Sequence, residues 1–121
     1  MEFLGAKFDK DLKEMSTKAL AYVGDSVFEL FCRVNYSFDN KEVVARVNAQ
    51  AQARCYDRIK SMLTQEEKEV ARRGRNLKTP RSKEPSYRKA TALESLVGYL
   101  FLAGRIERLA EILKECEKTK D

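Results

Sequence analysis

The chain has 121 residues, 43% hydrophobic and 36% charged, with two prolines, five glycines and a net charge of +5. That length bounds it to one domain with room for a real core, and its composition favours helices over a β-sandwich. Histidine is absent, which excludes Ser-His and Cys-His nucleophile pairs and every histidine metal site. The three cysteines, Cys32, Cys55 and Cys116, are scattered and form no CxxC pair. They argue against a zinc site or a disulfide framework, read as small buried apolar side chains, and point to a reducing cytoplasm.

In chain order the opening residues, MEFLGAKFDKDL, carry acids and no continuous apolar stretch, so no secretory signal is expected. No apolar run is long enough for a transmembrane helix. Ser16 or Thr17 can cap a first helix over about 17–35. A second helical region, rich in alanine and glutamine and with room for one break, covers roughly 40–62 behind Asp39 or Asn40. Thr64 and Glu67 fit a capping box that starts a short helix ending near Gly74. Residues 74–86 hold both prolines and read as the one long loop. Ser86 can cap a helix over about 87–103, stopped by Gly104, and a last amphipathic helix covers about 105–118. No stretch alternates as a strand, so the expectation is a single all-α domain over 1–121.

The positive charge is concentrated at the loop. Between Arg72 and Lys89 there are eight basic residues against one acid, a local sum of +7 that leaves −2 for the rest. A solvated, mobile loop explains such a run; so does an arm that grips phosphates. On the second reading Arg72, Arg73, Arg75, Asn76, Lys78 and Arg81 are the candidates for gripping a nucleic-acid backbone, with Lys83, Arg88 and Lys89 less favoured. Only Tyr87 is aromatic, which favours backbone contact to a duplex over base stacking on a single strand.

Two acids stand out. In the first helix Leu20, Val23, Val27, Leu30, Phe31 and Val34 fall on an apolar stripe, while Lys18, Tyr22, Asp25 and Glu29 share another face that solvent alone can explain. From Ala90 to Gly104 the only charged residue is Glu94, in a run apolar all round and therefore buried. A carboxylate there pairs with a lysine or arginine from elsewhere, or faces a second carboxylate across a metal ion. Gly24 adjoins Asp25, and Gly98 lies one turn after Glu94. Glycines inside helices often mark close backbone approach, and a tight crossing would bring Asp25 and Glu94 towards one point. Two hard oxygen ligands suit magnesium, and a magnesium-carboxylate site beside a basic arm is the chemistry of phosphodiester cleavage.

These residues form a pattern. Residues 22–30, YVGDSVFEL, resemble the signature of ribonuclease III catalytic domains, and residues 91–94, TALE, resemble that family's second acidic motif. The run ALAYVGD at 19–25, RGRN at 73–76, Tyr87-Arg88 and GYLFL at 98–102 are similar to the Mini-III subfamily, which has no double-stranded RNA-binding domain. The resemblance spans about residues 16–113.

It implies an all-helical homodimer in which Asp25 and Glu94 bind catalytic magnesium and the two sites cut opposite strands of double-stranded RNA. The products would carry 5′-phosphates and short 3′ overhangs, and the implied substrate is the 23S ribosomal RNA precursor. Ala21, Lys18 and Thr91 stand where longer family members carry acids, so water has to supply more of the metal's ligands. Glu29 matches a frequent signature glutamate, read as supporting the site rather than binding metal. Val27, Phe28, Phe31 and Phe101 offer apolar surface for the dimer. The alternative is a catalytically inactive RNA-binding or ribosome-associated protein of the same fold, favoured by Ala21 and Thr91. A helical protein-interaction module would leave the basic loop unexplained.

Overall fold

A computed structural model describes residues 1–120; Asp121 lies outside the described residues. Six helices carry the fold: α1 (Thr17–Asn35), α2 (Asn40–Val47), α3 (Ala49–Ile59), α4 (Gln65–Arg75), α5 (Pro85–Leu102) and α6 (Ile106–Cys116). The all-α expectation holds, apart from a short hairpin at the N-terminus pairing β1 (Glu2–Phe3) with β2 (Ala6–Lys7).

Local chemistry sets the boundaries. Ser16 caps α1, its Oγ accepting from the Ala19 N–H at 3.0 Å. Asn48 makes the single break between α2 and α3: its Oδ1 accepts from the Ala51 N–H, while its Nδ2 donates to the Val44 and Ala45 carbonyls. The capping box of Thr64 and Glu67 opens α4. The long loop is shorter than expected, because Pro85 itself occupies the first position of α5, where its missing N–H would have no partner anyway. Ser86 therefore lies inside the helix instead of capping it. Gly104, at φ +73°, turns the chain from α5 into α6.

α5 is the central helix, flanked by α1, α3 and α4. Its Ala92, Leu93, Leu96, Val97 and Leu100 are fully buried against Phe28, Val43, Ile59, Ala71 and Ile112. Each large apolar side chain removed from water here contributes roughly 1.5–3 kcal/mol. The buried face of α1 is Leu20, Ala21, Gly24, Phe28 and Cys32, rotated from the stripe read in the sequence, so Leu30 and Val34 are exposed. The reason is Gly24, which has to face α5.

Cys32 matches its reading as a small buried side chain, and burial pushes its thiol up to about 11, which leaves it an unreactive thiol. Cys55 and Cys116 depart from it. They are paired as a disulfide between α3 and α6, with Cα atoms 4.7 Å apart; two cysteines 61 residues apart in the chain gave no sign of that proximity.

Candidate active site

Asp25 and Glu94 are neighbours because α1 and α5 cross with nothing between their backbones. A Cβ on Gly24 would stand 1.7 Å from the Glu94 carbonyl oxygen, and one on Gly98 would stand 2.0 Å from the Leu20 carbonyl oxygen. Only hydrogen fits at either position. Each glycine forgoes about 1 kcal/mol of helix propensity, and the close crossing is what replaces it. Gly74 on α4 plays a similar part against α5, where a Cβ would come within 2.5 Å of Ser95 Oγ.

Between Ala90 and Gly98 every residue of α5 is buried except Glu94, which opens onto a cleft of about 230 Å³. Asp25 lines the same cleft from α1, together with Lys18, Tyr22, Thr79, Tyr87 and Thr91. Burial pushes the Glu94 carboxyl up to about 8; the Asp25 carboxylate beside it pushes the same way, and the Gln52 amide pulls against both. None of the ion pairs formed among the described residues includes either acid. The cationic partner that sequence left open for Glu94 is therefore not what the fold supplies. Glu67 shows the contrast: it is fully buried, and Arg108 grips it at 2.8 Å and holds its carboxyl below the usual range.

No group of three or more histidine, cysteine or acidic residues clusters among the described residues. What the cleft offers a metal is two carboxylates and space. That donor set fits magnesium, which keeps several waters and binds through one or two carboxylates plus substrate phosphates. The residues replacing the family's other acids add little. Ala21 is buried, and the Thr91 hydroxyl donates to the Tyr87 carbonyl at 2.9 Å. Glu29 does not reach the pair; it is bridged to Arg33 at 3.0 Å.

The basic candidates divide. Arg75, Asn76, Lys78 and Arg88 border one shallow depression at the end of α4. Arg72 and Arg73 lean on Glu69, at 2.6 and 3.7 Å, and Arg73 lines a different hollow with Glu66 and Tyr99. Arg81 pairs with Glu84 at 2.6 Å and lies over the Tyr87 ring. Lys89 reaches Asp57 at 2.9 Å. These pairs are exposed and of the kind worth less than about 1 kcal/mol, so a phosphate can displace them.

The Ribonuclease III domain family model matches residues 18–105, which carry α1 to α5 and both acids. The chain belongs to the ribonuclease III family. It is similar to Mini-ribonuclease 3 of Thermoanaerobacter sp. strain X514, 44% identical over 83% of this chain and 79% of that protein. It is likewise similar to Mini-ribonuclease 3 of Clostridium tetani, 40% identical over 93% of this chain and 83% of the relative. A Fusobacterium nucleatum protein solved by X-ray crystallography superposes with a TM-score of 0.81 at 34% identity, over 92% of this chain and 99% of the other. Ribonuclease III membership makes the chain an endoribonuclease, a hydrolase acting on RNA.

Within this ribonuclease III fold, two residues of the site escaped the sequence reading. Lys18 was placed on the face of Asp25 and read as a missing acid, but not as part of the site, although it lines the cleft. Gln52 was passed over, although it meets Glu94 from α3. The signal for Gln52 was present: it falls in register with Cys55 and Ile59 on the buried stripe of an alanine-rich helix, where an amide is out of place.

Proposed function

We propose that this endoribonuclease is magnesium-dependent, cuts double-stranded RNA as a homodimer, and acts in the cytoplasm on the 23S ribosomal RNA precursor. The observation that carries the reading is the pair of uncompensated carboxylates at the glycine crossing. Two acids pushed together without a cation are costly to keep unless a cation joins them in use. Magnesium, when bound, supplies charge against the scissile phosphate and lowers the pKa of attacking water.

Asp25 and Glu94 hold that ion, with water completing the sphere where Ala21 and Thr91 offer no ligand. Lys18, at the cleft edge, faces the incoming phosphate backbone and offsets its charge. Arg75, Lys78 and Arg88 grip the duplex beyond the cleft, and Arg72, Arg73 and Arg81 exchange their carboxylate partners for phosphates as it docks. No histidine is needed to move a proton, which agrees with the composition.

We infer a dimer surface other than the one expected. Phe28 belongs to the core, and Val27, Phe31 and Phe101 pack partly against it. Leu30, Val34 and Phe38, at 53%, 68% and 104% exposure, are instead exposed apolar residues at and just beyond the end of α1, taken here as one apolar strip, and Leu30 lines a hollow with Asp25. A second copy seated there sets two cleavage sites side by side, one for each strand. The ribosomal precursor is the substrate implied by the resemblance of the sequence motifs to the Mini-III subfamily, and that substrate carries the cytoplasmic location with it.

The test is incubation with a long RNA duplex and with single-stranded RNA of the same sequence, in magnesium and in excess chelator. The duplex alone should be cut, and only with magnesium. Binding of the duplex without cutting, with a ribosomal precursor included, would overturn the magnesium reading in favour of RNA binding alone.

A further inference from the structure

Among the described residues, four polar or charged side chains are buried in the interior. Three have structural explanations. Glu67 holds Arg108, the Thr91 hydroxyl donates to a backbone carbonyl of its own helix, and Ser95 sits where Gly74 leaves space only for a small side chain. Gln52 is different. It is 2% exposed, and its Nε2, like the small Ser95 Oγ, makes no hydrogen bond, but here a long amide stands where tight space does not explain it. A buried donor left without an acceptor costs about 1–3 kcal/mol, and a leucine or methionine would fill the same space without that penalty. α3 packs directly on α5, and the polar group the Gln52 amide approaches is the Glu94 carboxylate.

We propose that Gln52 is a positioning residue for catalysis, its Nε2 held ready to donate to one oxygen of Glu94 so that the other turns towards Asp25 and the cation. This rests on the reading of Asp25 and Glu94 as the magnesium site. Arginine or lysine at this position would neutralise Glu94 and compete with the metal. An amide orients the carboxylate and leaves its charge for the ion. Outer partners of this kind typically change metal affinity by roughly 10–100-fold when removed.

The experiment uses the full chain without RNA and Mn²⁺ as the probe, with binding followed by electron paramagnetic resonance and stability by thermal unfolding. The parent, Asp25→Asn, Gln52→Leu and Gln52→Met are compared, the methionine variant serving if leucine does not fold. Both Gln52 variants should bind Mn²⁺ at least 10-fold more weakly than the parent, while their metal-free melting temperatures stay level or rise. In cleavage assays their rates should recover at high magnesium, because the ligands themselves are intact. Parent-like Mn²⁺ affinity in the Gln52 variants would overturn the proposal and leave the metal site standing, as would a fall in melting temperature with affinity unchanged. A parent that binds no Mn²⁺, or binds it as well after Asp25→Asn, would overturn the metal site and this inference with it.

Discussion

Gly98 illustrates how a helix propensity rule reverses at a crossing. An exposed helical glycine changed to alanine gains about 1 kcal/mol. Here the added methyl would meet the Leu20 carbonyl oxygen at 2.0 Å, so α1 and α5 must part. Gly98→Ala should lower stability by about 1–3 kcal/mol or more in chemical denaturation, and should cut activity further because the carboxylates separate.

Glu94 makes a second prediction at the same scale. Its carboxyl, raised from 4.5 to about 8 in the folded protein, favours the fold in its protonated form. That contribution is complete below the unfolded value and is lost as pH rises through about 8. Metal-free protein should therefore melt at lower temperature as pH climbs across this window, and Glu94→Gln should flatten that slope. Magnesium, which takes the ionised carboxylate, should stabilise the parent most at the alkaline end.

The two acids were legible in the sequence for different reasons. A lone charge in an apolar run needs an explanation, and Asp25 lies next to a glycine that needs one too. Gln52 and Lys18 were harder to find, since a neutral amide and a helical lysine normally require no account.

Among the elements, helix existence was easier to read than helix facing. α1 carries two apolar stripes, and periodicity cannot choose between them. The crossing at Gly24 decides, burying Phe28 and Cys32 and leaving Leu30 and Val34 outside. Likewise Pro85 could open a helix or interrupt a loop, and the choice shortened the loop to residues 76–84. This segment and the flanking turns of α4 and α5 carry the basic residues, so binding should be strongly salt-dependent. If Arg75, Lys78 and Arg88 each neutralise one phosphate, the plot of log affinity against log salt should have a slope of about −3 per subunit. Lys78→Ala should reduce that slope by about one and weaken binding to all duplex sequences alike, measured by filter binding across a salt series. A flat response would remove the loop from the interface.

At the scale of the whole molecule, single-chain patterning shows which residues are apolar but not which are shared with a second copy. Phe28 and Phe31 were taken for surplus surface because a small core was underestimated; α5 is buried on nearly every side and needs them. Leu30, Val34 and Phe38 are among the large apolar residues left exposed. Val34→Glu places a charge in the middle of that strip, away from the core. It should shift the protein from dimer to monomer in light scattering at micromolar concentration with little change in monomer stability. It should also replace paired cuts by slow nicking of single strands.

The proposed function stands or falls on Asp25 and Glu94 acting together as one cation-dependent cleavage site. The most direct measurement is duplex RNA cleavage in low salt with magnesium by the parent, Asp25→Asn and Glu94→Gln, with duplex binding measured in parallel. Each variant should lose cleavage by at least about 100-fold, a loss of at least about 2.7 kcal/mol in transition-state stabilisation, while binding the duplex as the parent does. Cleavage retained in either variant would contradict it.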